Sequence, residues 1–231
     1  MITVETIRER HSVREYDGGP LDQAEFDALG AVVEEYARES GLDIQLVGDN
    51  PEVFNVIARF GLIRGCRTHV AFVVDGAKAG DVAADEAFGY WGQKIVLAAQ
   101  DMGLNTCWCA LCSRKKSRAV VAPGKKNRLI IAVGHGKTQG FSRKTKSVEA
   151  LSSVECAKAP AWFAAAMEAA QLAPTAMNNQ NFKITLLSDA KTVRIDAPQS
   201  GLNVIDEGIV RCNFEIAANE AGADWRWERD I

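Results

Sequence analysis

The sequence predicts an α+β protein in which helices flank a sheet. Helical and strand patterns alternate along the 231 residues, and one ordered pair of segments occurs twice. Hydrophobic residues make up 47% of the chain and charged residues 25%, which is typical of an ordinary globular protein. A chain of this length can bury one large core or two closely fused smaller cores.

Helix signals appear early in the chain. Thr3 is placed to cap a short first helix. Asp22 and Glu25 have the spacing of a capping box, which predicts a helix through Arg38 that Gly41 terminates.

Two strand patterns and one helix pattern follow. Residues 42–47, "LDIQLV", alternate apolar and polar side chains like a strand with one buried face. Residues 52–60 predict a helix after an Asn-Pro turn. Residues 69–76, "HVAFVVDG", form a nearly continuous apolar run that Asp-Gly closes, which is typical of a central strand.

The most periodic segment predicts a core helix that Gly103 ends. Its apolar residues at helical spacing are Phe88, Trp91, Ile95, Ala98, Ala99 and Met102. The later elements are predicted to be strands at 128–134, 182–189 and 193–198 and helices at 159–172 and 207–221.

Two ordered segments indicate an internal duplication. Residues 98–108, "AAQDMGLNTCW", align without gaps on residues 217–227, "AANEAGADWRW". Upstream of each, residues 73–78 align on residues 186–191. Patterns this short also match by chance, so duplication and chance similarity both stay open. The favoured interpretation is duplication, in which a single domain, residues 1–231, consists of halves of about 1–145 and 155–231.

Charge and cysteine content exclude several classes of protein. The formal charge of −3 gives no reason to expect nucleic acid or an anionic membrane as partner. Charges interrupt the N-terminus where a signal peptide needs an apolar core, which predicts a cytoplasmic protein with reduced thiols. Cys107, Cys109 and Cys112 have only loosely metal-like spacing and no second ligand pair, so we expect strand cysteines and no metal.

Four motifs together resemble the FMN-dependent nitroreductase family. Residues 10–16, "RHSVREY", look like its N-terminal flavin-phosphate motif, and residues 173–180, "APTAMNNQ", are similar to its Asn-Gln segment. Residues 103–108, "GLNTCW", resemble the segment after its core helix, and residues 130–151 its last strand and basic tail. The resemblance covers most of the chain and implies a mixed, largely antiparallel sheet with pseudo-twofold halves.

The resemblance also implies a set of FMN-binding residues. Guanidinium groups form bidentate, charge-assisted bonds with phosphate, and a carboxamide can satisfy the alternating donors and acceptors of the flavin pyrimidine edge. Asn178 is the expected reader of that edge, with Thr175 and Gln180 in support. The full set is Arg10, His11, Ser12, Arg14, Arg143 and Lys144 for the phosphate, with Pro174, Thr175, Asn178, Gln180, Gly103, Leu104 and Asn105 around the ring. The alternatives are a solvated basic face and an ordinary polar turn.

The chain departs from the usual family pattern. The Asn-Gln segment lies far behind the arginine motif, and Asn181 and Phe182 replace the usual proline and tryptophan. These departures predict a branch in which one chain contains both halves of the usual dimer, present as a monomer or a homodimer.

The implied function is FMN-dependent oxidation of NADH or NADPH with ping-pong reduction of nitroaromatic, quinone or similar acceptors. No catalytic acid or nucleophile can be named, and none is required, because the flavin carries the chemistry. The alternative is a flavin-binding or flavin-free protein that keeps the fold as a binding or interaction module.

Overall fold

The computed structural model describes residues 2–54, 63–155 and 158–229, and its elements confirm the α+β class. The helices are α1 (Val4–Glu9), α2 (Gln23–Ser40), α3 (Val82–Asp101), α4 (Val148–Leu151), α5 (Ala161–Gln171) and α6 (Leu202–Glu220). The strands are β1 (Asp43–Val47), β2 (Thr68–Asp75), β3 (Asn105–Cys109), β4 (Lys125–Gly134), β5 (Lys183–Leu186), β6 (Thr192–Asp196) and β7 (Arg226–Trp227).

The described strands form two sheets. One has the order β1-β2-β4-β3, with every neighbouring pair antiparallel. The other has the order β5-β6-β7, in which β5 and β6 are antiparallel and β6 and β7 parallel. The largely antiparallel pairing is confirmed, but the described strands form two sheets where one was predicted. The prediction missed this division because the choice of partner between distant strands leaves little trace in their local sequence patterns.

The capping signals are confirmed at atomic detail. The Asp22 carboxylate accepts a hydrogen bond from the Glu25 N–H at 2.8 Å, and the Glu25 carboxylate accepts one from the Asp22 N–H at 3.0 Å. Gly41 ends α2 with a φ of 69°. The Thr3 hydroxyl accepts from the Thr6 N–H at 3.4 Å at the start of α1.

Some predicted boundaries were wrong. Where a helix was predicted over 52–60, Pro51–Val53 form a 3-10 turn, and residues 55–60 lie outside the described residues. Helix α6 begins at Leu202, five residues before the predicted start. Its N-cap is Gly201, which has no side chain to cap the helix and therefore gives no start signal.

The chain divides into two compact units. The first unit comprises Met1–Glu9, Gly80–Lys94 and Arg143–Ile231. The second unit comprises Arg10–Ala79 and Ile95–Ser142. The three-stranded sheet β5-β6-β7 therefore belongs to the first unit, and the four-stranded sheet β1-β2-β4-β3 belongs to the second unit.

In the first unit, two glycines bring helix backbones together. A Cβ atom on Gly89 of α3 would lie 2.0 Å from the Ile205 carbonyl oxygen of α6. A Cβ atom on Gly208 of α6 would lie 2.0 Å from the Glu86 carbonyl oxygen. Since real Cβ contacts do not occur at this distance, only glycine allows this approach of α6 to the first part of α3.

Next to this crossing lies an ion-pair network in which Glu86, Glu207 and Arg211 are buried and Arg229 is partly exposed. The Arg211 Nε and a Glu86 oxygen are 3.0 Å apart, and both side chains are almost completely buried. The Arg229 guanidinium donates to both Glu86 oxygens, at 2.8 and 3.1 Å, and to Glu207 at 3.1 Å. The Arg211 guanidinium also donates to the Arg229 carbonyl at 2.7 Å, which ties the last described residues to α6.

In the second unit, β2 and β4 are the central strands of the sheet. Residues 68–74 of β2 are buried, as expected for a central strand. Trp108 of β3 stacks on Phe72, with 6.2 Å between ring centroids. His69 is buried beside Ser117, and burial lowers the pKa of its imidazole to about 4.

Positions that the proposed duplication equates share backbone geometry. Gly103 and Gly222 have φ values of 78° and 66°, and each lies between a long helix and a strand. Gly65 and Asn178, equated by the other alignment, have φ values of 73° and 56°. The duplication itself stays a prediction.

Two searches of the described part of the chain found nothing. None of its helices is both long and apolar enough to cross a membrane. No group of three or more His, Cys, Asp or Glu residues in the same ranges has the arrangement of a metal site.

Candidate functional site

The "RHSVREY" loop of the second unit begins directly after α1 and lies against β3. Ser12 pairs with Thr106 in a parallel bridge, and the Val13 N–H donates to the Thr106 carbonyl at 3.0 Å. The His11 Nε2 lies 3.1 Å from the Ser142 hydroxyl. Main-chain pairing with β3 and a side-chain contact with Ser142 therefore fix the direction of the loop.

Arg10 and Arg14 differ in their surroundings. Arg10 is 8% exposed, and burial lowers the pKa of its guanidinium to about 10, so that it is still charged at neutral pH. Arg14 is half-buried, and its carbonyl accepts from the Arg64 N–H at 2.9 Å. Arg10 is therefore a buried cation at the start of a rigid loop.

Residues Gly103, Leu104 and Asn105 lie beside this loop, because Asn105 precedes Thr106 in β3. The Gly103 and Leu104 N–H groups donate to α3 carbonyls, at 2.9 Å each. The Asn105 carboxamide donates to Gln139 at 2.8 Å and accepts from the Gly136 N–H at 2.8 Å. Asn105 thus holds the loop after β4, a role that only the fold reveals.

In the first unit, the basic stretch lies against the "APTAMNNQ" segment. Asn178 donates from its Nδ2 to the Lys144 carbonyl at 2.8 Å. The side chains of Arg143, Lys144 and Asn178 are all exposed. Two parts of the predicted site, separated by about thirty residues of sequence, are therefore neighbours in this unit.

Gln180 is the buried centre of this arrangement. Its carboxamide accepts from the Lys146 N–H at 2.7 Å and donates to the Gln171 carbonyl at 2.9 Å. Its own N–H donates to the Thr175 hydroxyl at 3.0 Å. Because the carboxamide is occupied by the chain itself, Gln180 positions the segment, with Thr175 in support.

The segment holds an unusual backbone. Met177, Asn178 and Gln180 have φ values of 54°, 56° and 46°, a region that side chains other than glycine seldom adopt. Met177 is also 91% exposed. Such conformations persist only where the surroundings enforce them, and they concentrate at functional sites.

Asp206 of α6 is a neighbour of this segment that sequence reasoning missed. Its two carboxylate oxygens accept from the Ala176 N–H, at 3.0 and 2.9 Å. Burial raises the pKa of the carboxyl to about 7, and the bond from Ala176 opposes this shift only in part. No local pattern links residues 30 positions apart, so only the fold reveals this contact.

The raised pKa predicts a pH-dependent stability. Since folding raises the Asp206 pKa above 3.8, its stabilising contribution is complete below pH 3.8 and is lost as the pH rises towards 7. Between pH 5 and pH 8 the free energy of unfolding of the wild type should therefore fall. We expect this fall to be about 2 kcal/mol smaller in Asp206→Asn, as measured by urea denaturation. An unchanged pH profile would contradict the buried carboxylate.

The matched variant Asp206→Ala removes the acceptor as well as the charge. It leaves the Ala176 N–H without its partner, so we expect a loss of about 1–3 kcal/mol at both pH values.

The predicted site residues thus form two clusters. The second unit brings together Arg10, His11, Ser12 and Arg14 with Gly103, Leu104 and Asn105. The first unit brings together Arg143 and Lys144 with Pro174, Thr175, Asn178 and Gln180.

A protein-family model described as "Putative TM nitroreductase" matches residues 2–218 of the chain. The chain belongs to this family. A search of curated protein sequences returns no match.

Solved structures confirm the nitroreductase fold. A structure from Thermotoga maritima, described as a "putative nitroreductase", superposes with a TM-score of 0.67 at 20% identity, and the match covers 100% of this chain and 90% of that one. A "putative nitroreductase in complex with fmn" from Desulfovibrio desulfuricans gives a TM-score of 0.50 at 18% identity, covering 66% of this chain and 95% of that one. At these identities the likeness is one of fold.

Proposed function

We propose that this nitroreductase-family chain is an FMN-dependent oxidoreductase that takes electrons from NADH or NADPH and reduces nitroaromatic, quinone or similar acceptors. Membership of the family supports the reaction class, and the complex from Desulfovibrio desulfuricans supports the choice of flavin. The observation that carries the proposal is the buried Arg10 guanidinium at the head of the "RHSVREY" loop.

The second-unit cluster fits a phosphate. A guanidinium presents several donors in a fixed plane, and burial strengthens its attraction to an anion. Ser12 and His11 follow Arg10 on a loop that main-chain bonds hold in place, and Arg14 adds a second guanidinium. We assign these four residues to the FMN phosphate.

The first-unit amide segment fits a polar ring edge. Asn178 is exposed on a backbone that Gln180, Thr175 and Asp206 hold in a constrained shape. A carboxamide held in this way donates and accepts at fixed positions, as recognition of a flavin pyrimidine edge requires. Pro174 opens the segment.

FMN, when bound, supplies the hydride chemistry, and the chain binds and orients it. The proposed role of these residues is therefore positioning, and no side chain is assigned as an acid or nucleophile. One flavin per chain is expected, in keeping with the proposal that the chain contains two related halves of which only one keeps the arginine motif.

The first test is flavin retention. Purified chain is mixed with FMN, the excess is removed, and the visible flavin band is measured. We expect about one FMN per chain, and about tenfold weaker affinity in Asn178→Ala, because a hydrogen-bonding group contributes about 1–1.5 kcal/mol. Asn179→Ala is the matched control, since Asn179 is an exposed amide next in the chain.

Because Asn178 has a positive φ, Asn178→Gly separates loss of the amide from backbone strain. Glycine adopts this conformation freely, so the FMN affinity of Asn178→Gly should fall as far as that of Asn178→Ala if the amide itself is responsible. If neither variant loses affinity, Asn178 does not contact the ring. If wild type retains no FMN, the flavin-free interaction module is the better description.

Turnover is tested by steady-state kinetics with NADH or NADPH and a quinone. Parallel double-reciprocal lines are expected if donor and acceptor use the flavin in turn. Intersecting lines would contradict the ping-pong scheme.

A further inference from the structure

The segment Cys109-Ala-Leu-Cys112 of the second unit places the Cys112 thiol against the end of β3. Cys109 is the last residue of β3, and the chain then bends so that the Cys112 thiol donates to the Cys109 carbonyl at 3.4 Å. The Ser113 N–H donates to the Val53 carbonyl at 2.8 Å, which fixes the end of the bend. Cys109 belongs to the apolar core of this unit, and Cys112 packs against that core.

The two cysteines are not equivalent. Cys109 is buried at 4% exposure, whereas Cys112 is partly accessible to solvent. Hydrogen bonding by the Cys109 thiol lowers the pKa of Cys112, burial opposes this shift in part, and the charge of Arg114 adds to the lowering. The same hydrogen bond, together with burial, raises the pKa of Cys109.

This asymmetry divides the roles of the two thiols. The thiolate is the nucleophile in thiol chemistry, and its formation is favoured beside a cation in a partly exposed position. Cys112 meets both conditions, and Cys109 is the protonated partner within reach of it. The basic turn Arg114–Lys116 follows directly and adds positive charge to this end of the segment.

The neighbouring cysteines lack these features. Cys66 and Cys107 are 2% and 3% exposed, and both lie within the apolar core of the second unit. Burial raises the pKa of the Cys66 thiol to about 12. The accessible thiolate is therefore expected at Cys112.

We propose that Cys109 and Cys112 form a redox-active dithiol that reduces small organic disulfides. The Cys112 thiolate attacks one sulfur of the disulfide, forms a mixed disulfide and releases the first thiolate, which takes up a proton. The Cys109 thiol then loses its proton to solvent, attacks the Cys112 sulfur and releases the second thiolate. The protein loses two electrons and two protons, and the small disulfide becomes two thiols.

The test uses 2-hydroxyethyl disulfide as the probe and intact mass as the readout. A Cys156→Ser background is used, so that every remaining thiol lies in the described ranges. In this background we expect Cys109 and Cys112 to form a disulfide, with a mass loss of two hydrogens that dithiothreitol reverses. Cys109→Ser should stop at a mixed disulfide on Cys112, and Cys112→Ser should gain neither an adduct nor a disulfide.

Cys107→Ser is the matched control, because Cys107 lies on the same strand two residues before Cys109. It should form the disulfide as fast as the background protein does. The proposal is overturned if the background protein keeps both thiols free, if Cys112→Ser is still modified, or if Cys107→Ser loses the disulfide. Since the readout needs no flavin, its result is independent of the proposed oxidoreductase activity.

Discussion

An Arg10→Met variant is expected to bind FMN about 100-fold more weakly than wild type. A hydrogen bond to a charged group contributes about 1.5–3 kcal/mol, and Arg10 supplies such bonds from a buried position where water screens them little. Methionine keeps the apolar stem of the side chain, so the packing changes less than the charge. Affinity is measured by quenching of flavin fluorescence.

Binding of riboflavin, which lacks the phosphate, tests whether Arg10 acts on the phosphate of FMN. Arg10→Met should leave riboflavin affinity nearly unchanged, whereas Asn178→Ala should weaken FMN and riboflavin to the same extent. Arg10→Lys keeps the charge without the bidentate geometry and should fall between wild type and Arg10→Met. Equal losses for both flavins in Arg10→Met would show that Arg10 supports the fold and does not bind phosphate.

Glu86→Ala is expected to lower the free energy of unfolding by about 3 kcal/mol, because it leaves the buried Arg211 guanidinium without its nearer carboxylate. The Glu86 side chain is 1% exposed, and it accepts from Arg229 and lies 3.0 Å from the Arg211 Nε. Urea denaturation at neutral pH measures the loss.

Glu5→Ala provides the comparison for an exposed ion pair. Glu5 lies 3.2 Å from Arg8 on α1, but its side chain is 65% exposed, so we expect a change below about 1 kcal/mol. The double variant Glu86→Ala with Arg211→Ala should lose less stability than the two single variants together, because each single change removes the other charge's partner at 3.0 Å. Additive losses would mean that the two side chains contribute independently.

Sequence signals at helix ends predicted those features of the fold that depend on neighbouring residues alone. The capping box of Asp22 and Glu25 and the terminating Gly103 act within one helical turn, and both are present as expected. The start of α6 was missed because Gly201 caps it without a side chain. Local patterns therefore identify elements with marked ends and miss those whose ends are set by packing.

The site shows the same division. The resemblance to the nitroreductase Asn-Gln segment singled out Asn178 and Gln180, but the role of Gln180 depends on Lys146 and Gln171, which approach only after folding. Asp206 carries no motif, and its contact with Ala176 is set by the position of α6. Candidate ligands can thus be found in the sequence, whereas the residues that orient them cannot.

The order of the units along the chain has a consequence for biosynthesis. Every residue of the second unit precedes Arg143, so this unit can complete its sheet while the rest of the chain is still being translated. Helix α1 is made earlier still, yet its partners are α5 and α6, and the Val4 N–H donates to Glu220, 216 residues later. Contacts over such separations slow folding. A nascent α1 therefore lacks these partners, and is open to chaperones, until Glu220 has left the ribosome.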